Sequence, residues 1–225
     1  MGLVFQSSRV FASRVTALRS FASERTIRRA MHNAGIGQRF LADRRAFLPY
    51  GTVASFIDHV ARDLGDPCIG ARTGSMFLQQ FPASVRRYIS SAPTLREAVA
   101  RSAEVLLATN SGATLRLSAH GDNAAIDYDS ALGHAMGSAQ LEQAIIAMMI
   151  DLFRRFHGEH WTPVRVEIPQ AEAGLARGIG AFFGQDLEGC PSDPLESAPR
   201  PGLFRRFDVG VRRSHGSSTG WTYTD

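Results

Sequence analysis

Leu141, Ile145, Met148, Met149, Leu152, Phe153 and Phe156 recur at steps of three and four, which predicts a helix over 138–158. Ala144, Ile146, Ala147 and Ile150 fill its other sides, so the first half is apolar almost all round and belongs in the middle of a domain. Ser138 is placed to cap it, Glu142 falls in the first turn, and Arg154, Arg155 and Gly158 suit its negative end. The apolar run from Ala144 to Ile150 is far shorter than the roughly 20 residues a membrane span needs. This is a core helix.

The rest of the pattern is read from the N-terminus. Val10, Val15, Leu18 and Phe21 give a weak helical stripe, and residues 1–23 read as an amphipathic extension. A helix follows from Ser23 to Asn33, with Gly35 just past its end. Pro49 and Thr52 open another, with Val53, Phe56, Ile57, Val60 and Leu64 on one face and Gly65-Asp66-Pro67 stopping it. Cys68–Met76 can form a further turn or two. Thr94 caps a helix from Leu95 to Ala108 that buries Leu95, Ala98, Val99, Ser102, Val105 and Leu106. The period then changes to two: Thr114–Ser118 and Ala124–Tyr128 flank a turn at Gly121-Asp122-Asn123 and predict a hairpin. Val164–Ile168 reads as a third strand and Leu175–Phe183 as a short helix weakened by Gly178 and Gly180. The fold class expected is α+β, several helices around a short, mainly antiparallel sheet.

After Leu187 the pattern fades. Four prolines, paired arginines, then Gly, Ser and Thr specify neither strand nor helix, and 188–225 is expected to be a disordered tail. Its residues favour GC-rich codons, as a GC-rich gene read out of frame would.

Composition narrows the functions. All 25 basic residues are Arg, which removes Schiff-base chemistry and the Lys-dependent phosphate loop. The net charge of +4 is uneven: residues 1–39 carry seven Arg against Glu24, whereas 40–187 carry 13 Arg against 15 acids. The body is therefore not a basic nucleic-acid binder, and this chain alone is expected to make no sequence-specific DNA contact. Cys68 and Cys190 form no CxxC pair and fit a reducing cytosol. The acid-free, Arg- and Ser-containing residues 1–23 have a transit-peptide composition, although the leading helix of a cytoplasmic protein explains them as well.

Catalytic and metal motifs fail on spacing. His157-Gly158-Glu159-His160 lacks the four-residue His spacing of zinc hydrolases, and Gly178-x-Gly180 with Gly184 is one residue too long for a dinucleotide fingerprint. Gly216-Ser217-Ser218-Thr219-Gly220 spells a nucleophile elbow without the strand before it or the helix after it. Asp127 and Asp129 read as solvated carboxylates at a strand end. The residues supply no metal site, no cofactor motif and no catalytic set.

Several stretches taken together resemble the N-terminal effector domain of AraC-family transcriptional regulators, in the branch of the ornithine-utilisation and VirS-type proteins. They are Ala34-Gly35-Ile36, Leu48-Pro49, Gly65-Asp66-Pro67-x-x-Gly70-x-x-x-Gly74, Ser90-Ser91-Ala92-Pro93-Thr94-Leu95-x-x-Ala98, Trp161-x-Pro163-x-x-Val166 and Phe182-Phe183-Gly184. Their order and spacing over about 24–187 carry the likeness. Local causes fit too: Pro67 ends a helix, and Gly70 and Gly74 permit close packing. The resemblance implies a domain that senses a small molecule, such as an amino acid or related metabolite, and dimerises, without catalysis. It also implies a closing strand after Phe182-Phe183-Gly184 and a helix-turn-helix domain of about 100 residues, neither of which 188–225 resembles. The expectation is thus an effector domain truncated before its DNA reader. The competing readings are a small-molecule enzyme with an unrecognised pocket and an interaction module that dimerises with intact regulators. Ligand contacts are expected from Tyr88, Tyr128, His134, Met148 and Met149, where apolar walls meet a few polar groups.

Overall fold

The computed structural model describes residues 4–120, 123–133, 135–163, 165–166 and 205–210. The predicted helix Leu175–Phe183, His134, the turn residues Gly121 and Asp122, and the tail other than 205–210 lie outside the described residues. Eight helices and six strands are described, a helix-dominated α+β fold as expected.

The first strand and helix, β1 (Phe5–Ser7) and α1 (Ser8–Leu18), correct the reading of residues 1–23 as an extension. Phe11, Val15, Ala17 and Leu18 are wholly buried, and Ser8, Ser13 and Arg14 are inside as well. A helix buried on so many sides shows only weak amphipathicity, which is why the sequence stripe looked faint. β1 pairs antiparallel with β2 (Phe47–Pro49), a three-residue pairing too short to leave a sequence period. The helix α2 (Glu24–Asn33) packs on α4 (Tyr50–Leu64), whose Phe56 meets Phe11 of α1 edge-on, with α3 (Arg39–Ala42) between them in sequence. Ser23 caps α2 by accepting from the Thr26 amide at 3.1 Å, as expected. Gly65 closes α4 in the left-handed conformation, φ 64°.

After α5 (Ile69–Gln80) and α6 (Ala83–Ser90) comes α7 (Leu95–Thr109), whose start is the predicted Thr94 cap. The Glu97 amide donates to Thr94 Oγ1 at 3.2 Å. Thr94→Ala is expected to lower stability by ~1 kcal/mol, and Thr94→Ser to recover it, in urea unfolding. Equal midpoints for wild type and Thr94→Ala would remove this cap from the account.

The predicted hairpin is β3 (Ala113–His120) with β4 (Asn123–Ser130), pairing Leu115 with Tyr128 and Leu117 with Ile126. The central helix α8 (Ser138–His157) follows, with eleven of its first thirteen residues buried and Ala139 and Met148 at partial depth. Its start differs from expectation. Gly137 is the cap residue, at φ 80°, and Ser138 is already helical. A Cβ on Gly137 would sit 2.0 Å from the Ala54 carbonyl oxygen, so only glycine admits α4 here. Glu142 consequently lies beyond the first turn and is buried. Gly158 ends the helix as predicted.

Glycine also sets the contact of α5 with α8. A Cβ on Gly70 would lie 2.2 Å from the Gln140 carbonyl oxygen, and one on Gly74 2.3 Å from that of Ala144. Two buried glutamines of α8 then finish the start of α5. Gln140 accepts from the Gly70 amide at 2.8 Å, and both Gln140 and Gln143 donate to the Pro67 carbonyl at 3.0 Å. Orphan donors at a buried helix start are satisfied by the neighbouring helix.

The sheet holds the main surprise. Its order is β3-β4-β6-β5, all antiparallel, where β5 is Arg165–Val166 and β6 is Arg205–Gly210. The expectation of no regular structure after Leu187 is therefore wrong for 205–210. β6 registers Phe207 between Ile126 and Val166, and Val209 opposite Ala124. Arg206-Phe207-Asp208-Val209 does alternate with a period of two, but six residues between arginine pairs and glycines give a weak signal. β6 lies between β4 and β5, and β3 is the outer strand at the other side of the described sheet.

Candidate functional site

A cavity of about 40 Å³ lies where α1, α5, α7 and α8 meet, beneath the Tyr50 end of α4. Its walls are apolar. Phe77 and Leu78 come from α5, Val105 and Leu106 from α7, and Ile145, Met148, Met149 and Leu152 from α8. The polar groups enter from one side: Gln6 of β1, Arg14 of α1, Tyr50, and Ser102, Thr109 and Asn110 at the α7 side.

Arg14 is the unusual member. Its residue is 3% exposed, and its Nε and Nη1 atoms have no hydrogen-bond partner. The guanidinium carbon stands 4.6 Å from the centre of the Phe77 ring, a cation–π contact that offsets part of the burial cost. Burial pushes the guanidinium below its usual value, with the nearby Tyr50 and Tyr128 acting the other way. An arginine still carries its charge in a protein interior, and an unpaired buried charge is costly. Gln6 Oε1 and Asn110 Nδ2, on the same cavity, are also buried without partners. Three unsatisfied polar groups thus converge on one small void.

The residues expected to touch ligand are divided by the structure. Met148 and Met149 line the cavity. Tyr128 is buried behind it, its hydroxyl 3.1 Å from that of the lining Tyr50. Tyr88 is elsewhere: 43% exposed on α6, it donates to Glu104 and lies under Arg101. His134 is outside the described residues. Sequence reasoning missed Arg14, Gln6 and Asn110. The signal for Arg14 was its place in the helical row Val10-Arg14-Leu18, where a solvated face would carry more than one charge.

The fold is α+β, and its family match is to a ligand-binding regulatory domain. Residues 25–189 match the family of the arabinose-binding domain of AraC transcription regulators, N-terminal part, and the chain belongs to that family. No curated protein sequence matches it. Among solved structures it is similar to an Fe(II) unliganded H-NOX protein mutant from K. algicida, with a TM-score of 0.59 at 9% identity over 93% of this chain and 97% of that one. It is also similar to an H-NOX protein studied for heme distortion, with a TM-score of 0.53 at 13% identity over 97% of this chain and 100% of that one. At such identity the likeness is one of fold. The cavity as it stands is too small for a heme, about 40 Å³ against the roughly 300–1,000 Å³ of a cofactor pocket, and no histidine or cysteine is among its described lining residues. Among the described residues no group of three His, Cys, Asp or Glu could hold a metal ion, and no helix is long and apolar enough to cross a membrane.

Proposed function

We propose that this domain senses a small molecule in the cavity between α1, α5, α7 and α8, binds it without transforming it, and signals by a change in self-association. The observation that supports this reading most is the convergence of buried, unpartnered Arg14, Gln6 and Asn110 on one void. Such groups are costly unless an occupant satisfies them. Among the described residues the lining offers no His, Cys, Asp or Glu to act as acid or base, which favours binding over catalysis. At about 40 Å³ the cavity holds a headgroup only, so a complete ligand opens it, and the adaptable Met148 and Met149 are the residues to move. β3 as the outer strand supports dimerisation through a sheet edge. The cytoplasm and the ornithine-utilisation and VirS-type branch belong to the same reading, the latter on the motifs from Gly65 to Gly74 and Ser90 to Ala98.

Thermal-shift screening of a metabolite library should yield a hit that raises Tm by several degrees. The shift should vanish in Val105→Trp, which places an indole at the half-buried α7 wall. Light scattering should show the hit changing the monomer–dimer balance. Hits untouched by Val105→Trp would place the site elsewhere.

A further inference from the structure

We propose that the ligand is an organic monoacid, its single carboxylate held by Arg14 and its apolar body lying against Phe77, Leu78, Met148 and Met149. This rests on the cavity being the effector site. Four observations select the class. Among the described lining residues the single cation is Arg14, and its Nε and Nη1 are unused donors, charge-assisted partners for the oxygens of a carboxylate. Asn110 adds a further unused donor.

No aspartate or glutamate lines the cavity among the described residues, so the ammonium of a zwitterionic amino acid would be buried without a counter-charge. A phosphate brings up to two negative charges and meets one cation. The remaining walls are aliphatic, aromatic and thioether, which excludes a highly hydroxylated sugar, since its hydroxyls would outnumber the polar groups present. Charge balance and wall chemistry leave an acid with one carboxylate and an apolar remainder.

Calorimetric titration of the full chain tests this with hexanoate as probe. The comparators are hexanamide, which lacks the charge, and 2-aminohexanoate, which adds an ammonium. Hexanoate should bind saturably and both comparators at least tenfold more weakly, with propionate to decanoate showing an optimum length. Arg14→Met should weaken hexanoate at least tenfold while leaving the Tm of the free protein unchanged or higher, because an unpaired buried charge is replaced by an apolar chain of similar length. A merely structural Arg14 would instead lower that Tm and leave affinity alone. If Arg14→Met does not fold, Asn110→Leu and Arg14→Lys should each weaken hexanoate with less effect on the comparators. Equal binding of hexanamide, or tighter binding of 2-aminohexanoate, abolished by Val105→Trp, would overturn the monoacid and leave the cavity reading standing. Failure of every acid from propionate to decanoate would also overturn it. Loss of the cavity reading itself would show separately, as library hits indifferent to Val105→Trp.

Discussion

Gly74→Ala should unfold at a clearly lower urea concentration than the wild type. Its new methyl group would lie 2.3 Å from the Ala144 carbonyl oxygen and 2.6 Å from the Ala144 Cα, both backbone atoms of the central helix. Backbone cannot rotate away as a side-chain tip would, so α5 and α8 have to separate. Overpacking of this kind costs about 3 kcal/mol or more, against a gain of about 1 kcal/mol from replacing glycine in a helix. The net loss of ~2 kcal/mol corresponds to a Tm lower by about 4–8 °C for a chain of this size. Separation would also break the contacts of Gln140 and Gln143 with the start of α5, leaving buried amides unpaired. Gly37→Ala is the control: its site is exposed, with the Arg39 side chain 3.9 Å away. Equal midpoints for the two variants would show that α5 and α8 do not touch through glycine.

The second large effect is expected from Phe207→Pro. Phe207 registers with Ile126 on one side and Val166 on the other, in a strand that has neighbours at both edges. Proline there removes a ladder donor and places a ring against the adjoining strand. A loss of about 3 kcal/mol or more follows, because a buried carbonyl on the facing strand is stranded as well. Trypsin gives a direct readout, since Arg205 and Arg206 are its sites. In the wild type both bonds should resist cleavage until the whole domain unfolds, and in Phe207→Pro they should be cut early. Rapid wild-type cleavage at Arg205 or Arg206, with α8 still intact, would restore the view that 188–225 is a loose tail.

These two variants mark where the sequence was readable and where it was not. Close packing at Gly70 and Gly74 was legible from their spacing of four, but that the central helix α8 is what packs there was not. Long helices with side-chain caps were legible for a related reason: Ser23 and Thr94 act on amides two or three residues away, so nothing distant can override them. At Gly137 something distant did, since the approach of Ala54 moved the start of α8 off the Ser138 cap. β6 depends on partners about 40 positions away in β5 and about 80 to 90 away in β4, and its own six residues carry little propensity. The cavity divided in the same way. Met148 and Met149 could be named because they face inward from a strong helix, whereas Arg14 looked like one charge of a basic leader. Its importance arises only when Phe77 and Tyr50 close over it.

The strand order also constrains how the chain can be made. β3 and β4 leave the ribosome as a hairpin, but the strand that must lie against β4 is translated after α8 and β5. Until residue 210 emerges, the inner edge of β4 stays open with Ile126 and Tyr128 in it, while β5 has nothing to pair with. Such an intermediate is a template for strand addition by other nascent chains. An open β4 edge late in synthesis is thus built into the topology, and a ribosome stalled shortly before β6 should release a product that aggregates.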